Sequence, residues 1–168
     1  MKAVIIQGSA RKDGDTAKIV QKVAAKLDCE VVDLLEYDIG YYDYNHENQN
    51  DDFLRIIRWI IRSHDVIIIA TPVYWYSMSA IMKNFFDRIS DLLTIDKDLG
   101  RELRGKYMAA LNSSNGNNLG EHFWIPIKES ADYLGMTYLG DMHTLAGEVE
   151  EEIFNDFIDK IESVQTES

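Results

Sequence analysis

The side chains best equipped for chemistry in this 168-residue chain fall in short, separate segments. The first reads Gln7-Gly8-Ser9-Ala10-Arg11-Lys12-Asp13-Gly14-Asp15-Thr16 and lies between an apolar run and a helix-like pattern. It brings two glycines, two hydroxyls and two basic side chains to a helix start. Free backbone N–H groups and the positive end of the helix dipole favour an anion there. Ser9 and Thr16 can add hydroxyl donors, and Arg11 can fork onto phosphate oxygens. The segment lacks the Gly-Lys-Ser/Thr ending of a P-loop and is not a Gly-x-Gly-x-x-Gly turn. A plain strand-to-helix turn capped by Asp15 or Thr16 would read the same way. Asp13 and Asp15 oppose an anion unless their carboxylates turn away.

The second segment reads Ala70-Thr71-Pro72-Val73-Tyr74-Trp75-Tyr76-Ser77-Met78-Ser79-Ala80. A loop has little reason to hold three consecutive aromatic rings unless they cover something, and a planar ring system is one partner for them. The sheet end or a subunit interface is another. Pro72 fixes its turn and leaves the following N–H groups free.

The elements that must position these segments alternate in texture. Short apolar runs lie at residues 3–6, 31–32, 66–70 and 107–111, with a weaker one at 136–139. The first and third are apolar at consecutive positions, as strands covered on both faces are. Helical stripes separate them: Ala17, Val20, Val23, Ala24 and Leu27; Phe53, Ile56, Ile57 and Ile60; Ile81, Met82, Phe85, Phe86, Ile89 and Leu93. Two more follow: Phe123, Ile127, Ala131 and Leu134; Val149, Ile153, Phe157 and Ile161. The third stripe predicts one long helix. Alternating strands and crossover helices predict an α/β doubly wound fold with a five-stranded parallel sheet. The order expected is the flavodoxin-like 2-1-3-4-5, with helices on both faces and one domain over residues 1–168. Ligands of such sheets sit beyond the strand C-terminal ends at the switch point, where the two segments fall. The tail from about Ser163 to Ser168 is expected to fray.

Composition narrows the function. The net charge of −12 repels phosphate backbones, so a general nucleic-acid binder is disfavoured. The single cysteine, Cys29, can form neither an internal disulfide nor a thiolate metal or iron–sulfur site. It is expected to be simply buried. His46, His64, His122 and His143 show no metal-ligand spacing, so no metal is expected. His143 follows the fifth strand and could approach the site, though a non-catalytic role fits it better. The apolar runs are too short to span a bilayer, and Met1-Lys2 lead directly into a strand without a secretory leader. A cytoplasmic protein without a membrane partner is the expectation.

Gly8-Ser9-Ala10-Arg11 with Thr16, then Thr71-Pro72-Val73-Tyr74-Trp75, then Ser79-Ala80 and Met82-Lys83-Asn84-Phe85-Phe86-Asp87-Arg88, resembles the NADPH-dependent FMN reductase family of flavodoxin-like proteins. The match in order and spacing runs from about residue 1 to 118. The resemblance implies FMN as cofactor and NAD(P)H as electron donor, with a quinone, flavin, azo or nitro compound, or a metal ion, as acceptor. It implies that Ser9, Arg11 and Thr16, with the backbone around Gly14 and Asp15, hold the FMN phosphate. Pro72, Val73, Tyr74 and Trp75 would line the isoalloxazine. The polar segment after the fourth strand, Asn112-Ser113-Ser114-Asn115-Gly116-Asn117-Asn118, would form the third wall, with Ser113, Ser114 and Gly116 as candidates. Any surface loop is polar, so position in the fold carries this last assignment. Asp87 and Arg88 fit a structural or interfacial role better than a catalytic one. No catalytic side chain is assigned, and a homodimer or tetramer is implied. An electron carrier like flavodoxin, and a binding module of the same fold without flavin, are the alternatives. The carrier would suit the acidic surface, and the Arg in the phosphate loop opposes it.

The chain departs from related iron–sulfur flavoproteins at residues 36–52, where the cluster cysteines are absent. Tyr37, Tyr41, Tyr42, Tyr44 and His46 stand there instead, as a flap over the flavin, a subunit contact or a disordered acidic loop. Asp51-Asp52 and the run 148–152 read as solvated helix starts. Phe123-Trp124 fit a dimer contact or the core.

Overall fold

Two isoleucine-rich strands, β1 (Ala3–Gln7) and β3 (Val66–Tyr74), lie side by side at the centre of a parallel sheet. Alternate residues of each serve opposite layers. Val4, Ile6, Ile67 and Ile69 face one core, while Ile5, Val66, Ile68 and Ala70 face the other. Full burial of each such aliphatic side chain is worth about 1.5–3 kcal/mol, which explains why these runs are apolar at every position. The structure is a computed structural model, and it describes residues 1–165.

The chain continues in regular alternation. α1 (Asp15–Leu27) leads to β2 (Glu30–Asp33), and α2 (Asp52–Ser63) precedes β3. A two-residue β4 (Ser77–Met78), α3 (Ala80–Arg88), α4 (Asp91–Thr94) and α5 (Lys97–Arg101) come next. β5 (Tyr107–Ser114), α6 (Ile125–Tyr133), β6 (Thr137–Leu145) and α7 (Glu151–Gln165) complete the order. The sheet runs β2-β1-β3-β5-β6, which is the expected 2-1-3-4-5 arrangement of parallel strands. α1 and α7 cover one face; α2, α3 and α6 cover the other.

Several expectations need correction. The sheet has a sixth strand, because β3 runs on past its apolar core and β4 folds back on it in antiparallel register, Val73 opposite Met78 and Tyr74 opposite Ser77. The long third helix is broken: α3 stops at Arg88 and α4 starts at Asp91, leaving Leu93 partly exposed. In α7 the inward residue is Phe154, whereas Ile153 is about half exposed. α7 continues to Gln165, so residues 163–165 are helical; residues 166–168 of the tail expected to fray lie outside the described residues. Phe123 and Trp124 are buried in the core, stacked edge to face at 4.8 Å.

Residues 37–51 are not a loose loop; Asp51 and Asp52 do start α2 as expected, but the Asp51 carboxylate is largely buried instead of solvated. Arg88, 1% exposed, engages all five of its N–H donors, four of them on residues 37–51. Nε donates to Asp91 Oδ2 at 2.8 Å and Nη1 to the Gly40 carbonyl at 2.9 Å. Nη2 donates to the Asn48 carbonyl at 3.1 Å, and both Nη atoms reach the Asp51 carboxylate. Asp51 Oδ1 also caps α2 by accepting from Phe53 N at 2.9 Å. The same Arg88–Asp91 pair stands at the break after α3.

Ser79 ties two strands' ends to α3. Its hydroxyl donates to the Gly8 carbonyl at 2.6 Å and accepts from Met82 N at 3.0 Å, and its N–H donates to Thr71 Oγ1 at 3.0 Å. Gly8 lies so close to α3 that a Cβ there would stand 2.8 Å from the Met82 Cβ.

Arg88→Met should cost about 3–5 kcal/mol in chemical denaturation, because two buried carboxylates lose their cation. It should also open residues 37–51 to protease nicking. Ser79→Ala should cost about 2–3 kcal/mol by the same measurement, through a lost cap and an unpaired buried carbonyl. Equal stability of either variant and the parent would refute its role.

Candidate functional site

The start of α1 is built to attract a negative charge. Gly14 is the N-cap residue, and no side chain caps the helix. Neither Asp15 nor Thr16 plays the capping part; Asp15 turns to Lys18, 2.9 Å away. The first-turn N–H groups therefore keep their capacity. Ser9 and Thr16 are both buried. Ser9 Oγ accepts from Arg11 N at 3.3 Å, and the Thr16 hydroxyl bonds to no described residue. Arg11 is exposed and forms no ion pair with a described residue, whereas neighbouring Lys12 is engaged with Glu36 at 2.9 Å. Asp13 is exposed, where water and salt screen its charge.

The second wall stands on a strand, not on a loop. Pro72, Val73 and Tyr74 belong to the extension of β3, paired through Pro72 with Ser113 of β5. Trp75 and Tyr76 form the two-residue turn to β4, with φ of 50° and 61°. Two positive φ values in such a turn usually call for Asn-Gly, so two aromatic residues there store strain. Trp75 is 95% exposed. Tyr76 is exposed as well, and its hydroxyl accepts from Asn118 Nδ2 at 3.3 Å.

The third wall is the end of β5. Ser113 Oγ accepts from Gly147 N at 2.9 Å, and the Ser114 carbonyl accepts from Ala146 N at 2.9 Å. Gly147 has φ of 80°, and a Cβ there would come within 2.6 Å of the Asp15 carbonyl oxygen. This close approach fastens the segment after β6 to the first turn of α1. His143, opposite Asn112 in the sheet, reaches Asn112 Oδ1, the Gly116 carbonyl and Ser114 Oγ.

These walls enclose a cavity of about 100 Å³. Its lining comprises Ser9, Arg11, Gly14, Asp15, Thr16, Pro72, Val73, Tyr74, Ser113, Ser114 and Asn115. Of the residues expected from the sequence, Trp75 and Gly116 do not line it. Trp75 stands out at the hairpin tip, and Gly116 is exposed at the outer edge of its segment. Asn115, in the segment expected as the third wall but not one of its candidates, lines it too. A site that encloses a whole drug-sized ligand has roughly 300–1,000 Å³, so this cavity suits a phosphate and part of its chain, with a ring left on the open rim. Its uncapped N–H groups, two hydroxyls and unpaired guanidinium match a phosphate in kind. The residues present therefore fit a flavin mononucleotide.

Ser79, Asn112, His143 and Gly147 support this rim without being among the candidate site residues; His143 was expected only to approach it, and Gly147 was not singled out at all. Gly147 has no sequence signal, since its need arises from α1, far away in the chain. Larger grooves of about 350 and 300 Å³ lie elsewhere and are lined mainly by apolar residues. Burial pushes the half-buried Cys29 thiol up to about 11, so it is not a thiolate at neutral pH. Among the described residues, no three His, Cys, Asp or Glu side chains converge as a metal set, and no helix is long and apolar enough to cross a membrane.

The comparisons agree with this geometry. A Bacillus subtilis protein named as an NAD(P)H-dependent FMN-containing oxidoreductase is 28% identical over 150 residues, 83% of this chain and 82% of that protein. The solved apo form of an NADH:FMN oxidoreductase superposes with a TM-score of 0.70 at 17% identity, over 96% of this chain and 87% of that one. A flavodoxin from the domain Archaea reaches 0.56 at 15% identity, over 98% and 99% of the two chains. These two likenesses show the fold. The family model for NADPH-dependent FMN reductases matches residues 1–151, and the chain belongs to that family.

Proposed function

We propose that this chain, as one FMN-binding domain over residues 1–168, is an NAD(P)H oxidoreductase that passes electrons to a small organic acceptor. The observation that carries this is the meeting of an uncapped helix start and an unpaired arginine with the Pro72–Tyr74 wall in one cavity. Ser9, Arg11, Thr16 and the backbone at Gly14 and Asp15 hold the phosphate of FMN. Pro72, Val73, Tyr74 and Trp75 form one wall for its ring, and Ser113, Ser114 and Gly116 form the other. Bound FMN supplies a ring that accepts hydride from a nicotinamide and yields the electrons to an acceptor such as a quinone, flavin, azo or nitro compound.

The protein's part is position and electrostatics. Backbone N–H groups of the second and third walls would stabilise negative charge collecting on the reduced ring. No side chain needs to act as acid or base. Nicotinamide and acceptor share the open face in turn. The shallow cavity and the bare Trp75 support a homodimer or larger assembly in which a partner completes the site. The charge of −12 supports a cytoplasmic enzyme without nucleic-acid or membrane partners, and it also suits an electron carrier docking on basic proteins.

Anaerobic addition of NADH or NADPH to the FMN-loaded protein should bleach the visible flavin absorbance within seconds. A carrier would stay yellow until a separate reductase was added, and a chain that takes up no FMN would be a flavin-free module. Arg11→Ala should weaken FMN binding about 10- to 100-fold in fluorescence titration, the worth of a charge-assisted hydrogen bond. Trp75→Gly should stabilise the free protein by about 1 kcal/mol in chemical denaturation, by relieving the turn, while slowing flavin reduction.

A further inference from the structure

We propose that the groove running over α3, α4, α5 and α6 is a two-fold interface for a second copy of this chain, held by an apolar centre and by opposite charges at its two ends. The inference does not depend on the flavin reading.

Two depressions meet on this face. One, of about 300 Å³, is mainly apolar, and Glu129 is its only charged lining residue. The other, of about 200 Å³, is lined by Lys97, Arg101 and Arg104 and by no acidic residue. They share Leu93, Tyr133 and Leu134, so these residues form their common border. Leu93 and Tyr133 are exposed. The order across the surface is therefore one carboxylate, an apolar border and three cations. Helical spacing sets one side of it: Ile125, Glu129 and Tyr133 recur every four residues on the outer stripe of α6, while Ile127 and Ala131 face the core. The break after Arg88 sets the other, because it leaves Leu93 outside the core stripe. The cationic end stands on fixed backbone. Gly105 N donates to the Gly135 carbonyl at 2.9 Å, and a Cβ on Gly135 would lie 3.0 Å from Arg104 Cγ, so the Arg104 stem rests on the turn between α6 and β6.

The charges say what covers the groove. Arg101 pairs with exposed Asp98 at 2.6 Å, but Lys97, Arg104 and Glu129 form no ion pair with a described residue. An occupant must bring a carboxylate to one end, a cation to the other and apolar surface between them. The chain carries that arrangement on this same face. A two-fold rotation about an axis through the Leu93–Tyr133 border sets border against border and lays Glu129 of each copy over the cations of the other. Two acid–base contacts then flank an apolar centre, which is the anatomy of a homodimer interface. Arg104 and Leu134 lie just before β5 and β6 begin, so the cationic end sits at the amino ends of the strands, away from the cavity at their carboxyl ends. It is a different face from one that would close the flavin rim, and the two together would build a tetramer.

Sedimentation velocity on two charge variants of the full chain, alone and mixed, tests this. One is Glu129→Arg, which makes both ends of the groove basic; the other joins Lys97→Glu to Arg104→Glu, which turns the basic end acidic. Each variant alone sets like charges against each other twice, so its self-association should weaken about 30-fold or more and its assembly should fall to half the parent's mass. Mixed in equal amounts, the two variants oppose unlike charges at both ends, and the parental mass should return. Tyr133→Ser, at an exposed border position, should weaken association about 10-fold or more with or without mixing. Variants that keep the parent's mass when alone overturn the proposal, and so does a mixture that stays dissociated. A parent that is monomeric at about 100 μM overturns it as well, and an acidic partner of another kind would then be the occupant to seek. If either charge variant fails to fold, Tyr133→Ser decides: association equal to the parent's overturns the interface. None of these measurements uses FMN, so failure to bind flavin would refute the oxidoreductase reading and leave the interface standing.

Discussion

Parallel pairing in register toward the strands' carboxyl ends is the constraint on which this molecule depends; the β5–β6 shift between Met108 and Ala109 lies before that stretch. One row crosses the sheet through Asp33, Gln7, Ala70, Leu111 and Met142, each level with the next. Whatever follows that row emerges at the same rim. Gly8 follows on β1, Thr71 on β3, Asn112 on β5 and His143 on β6. The loop after β1, the aromatic hairpin and the polar segment after β5 are therefore neighbours because their strands end together, although they are far apart in the chain. The isoleucines of β1 and β3 hold that register by filling two cores at once.

The local electrostatics run against the global. The chain is strongly acidic, yet its α1 start is uncapped and Arg11 beside it pairs with no carboxylate among the described residues. An anion that reaches this rim meets fixed dipoles and one cation in a confined space, where they count for more than the distant surface charge. Asp15 is compatible with this because Lys18 takes its charge sideways. The same division of labour occurs at Arg88, which neutralises two buried carboxylates and turns a tyrosine-rich stretch into a fixed strap.

Much of this was legible in the residues. Consecutive apolar positions in β1 and β3 announced central strands, and the spacing of Phe53, Ile56, Ile57 and Ile60 announced α2. Most of the cavity lining was also readable, because glycine, hydroxyl, arginine and proline at strand ends have few other uses. Three things were not readable. The strands outrun their apolar cores, since Thr71, Pro72, Asn112 and Ser113 pair through backbone atoms that carry no side-chain pattern. The break after Arg88 lies inside a continuous helical stripe, because a buried ion pair overrides propensity. Trp75 and Tyr76 adopt a turn that their residue types disfavour, and only tertiary context reveals it.

The contact of Gly147 with the Asp15 carbonyl has an implication for how the protein is made. The anion pocket opens near the amino terminus, yet its back is closed by a residue synthesised some 130 positions later. A nascent chain carries the glycine-rich loop early and its buttress late. Loading of the pocket during translation must therefore wait until the chain has left the ribosome as far as Gly147, and displacement of the turn after β6 would loosen the grip at the start of α1.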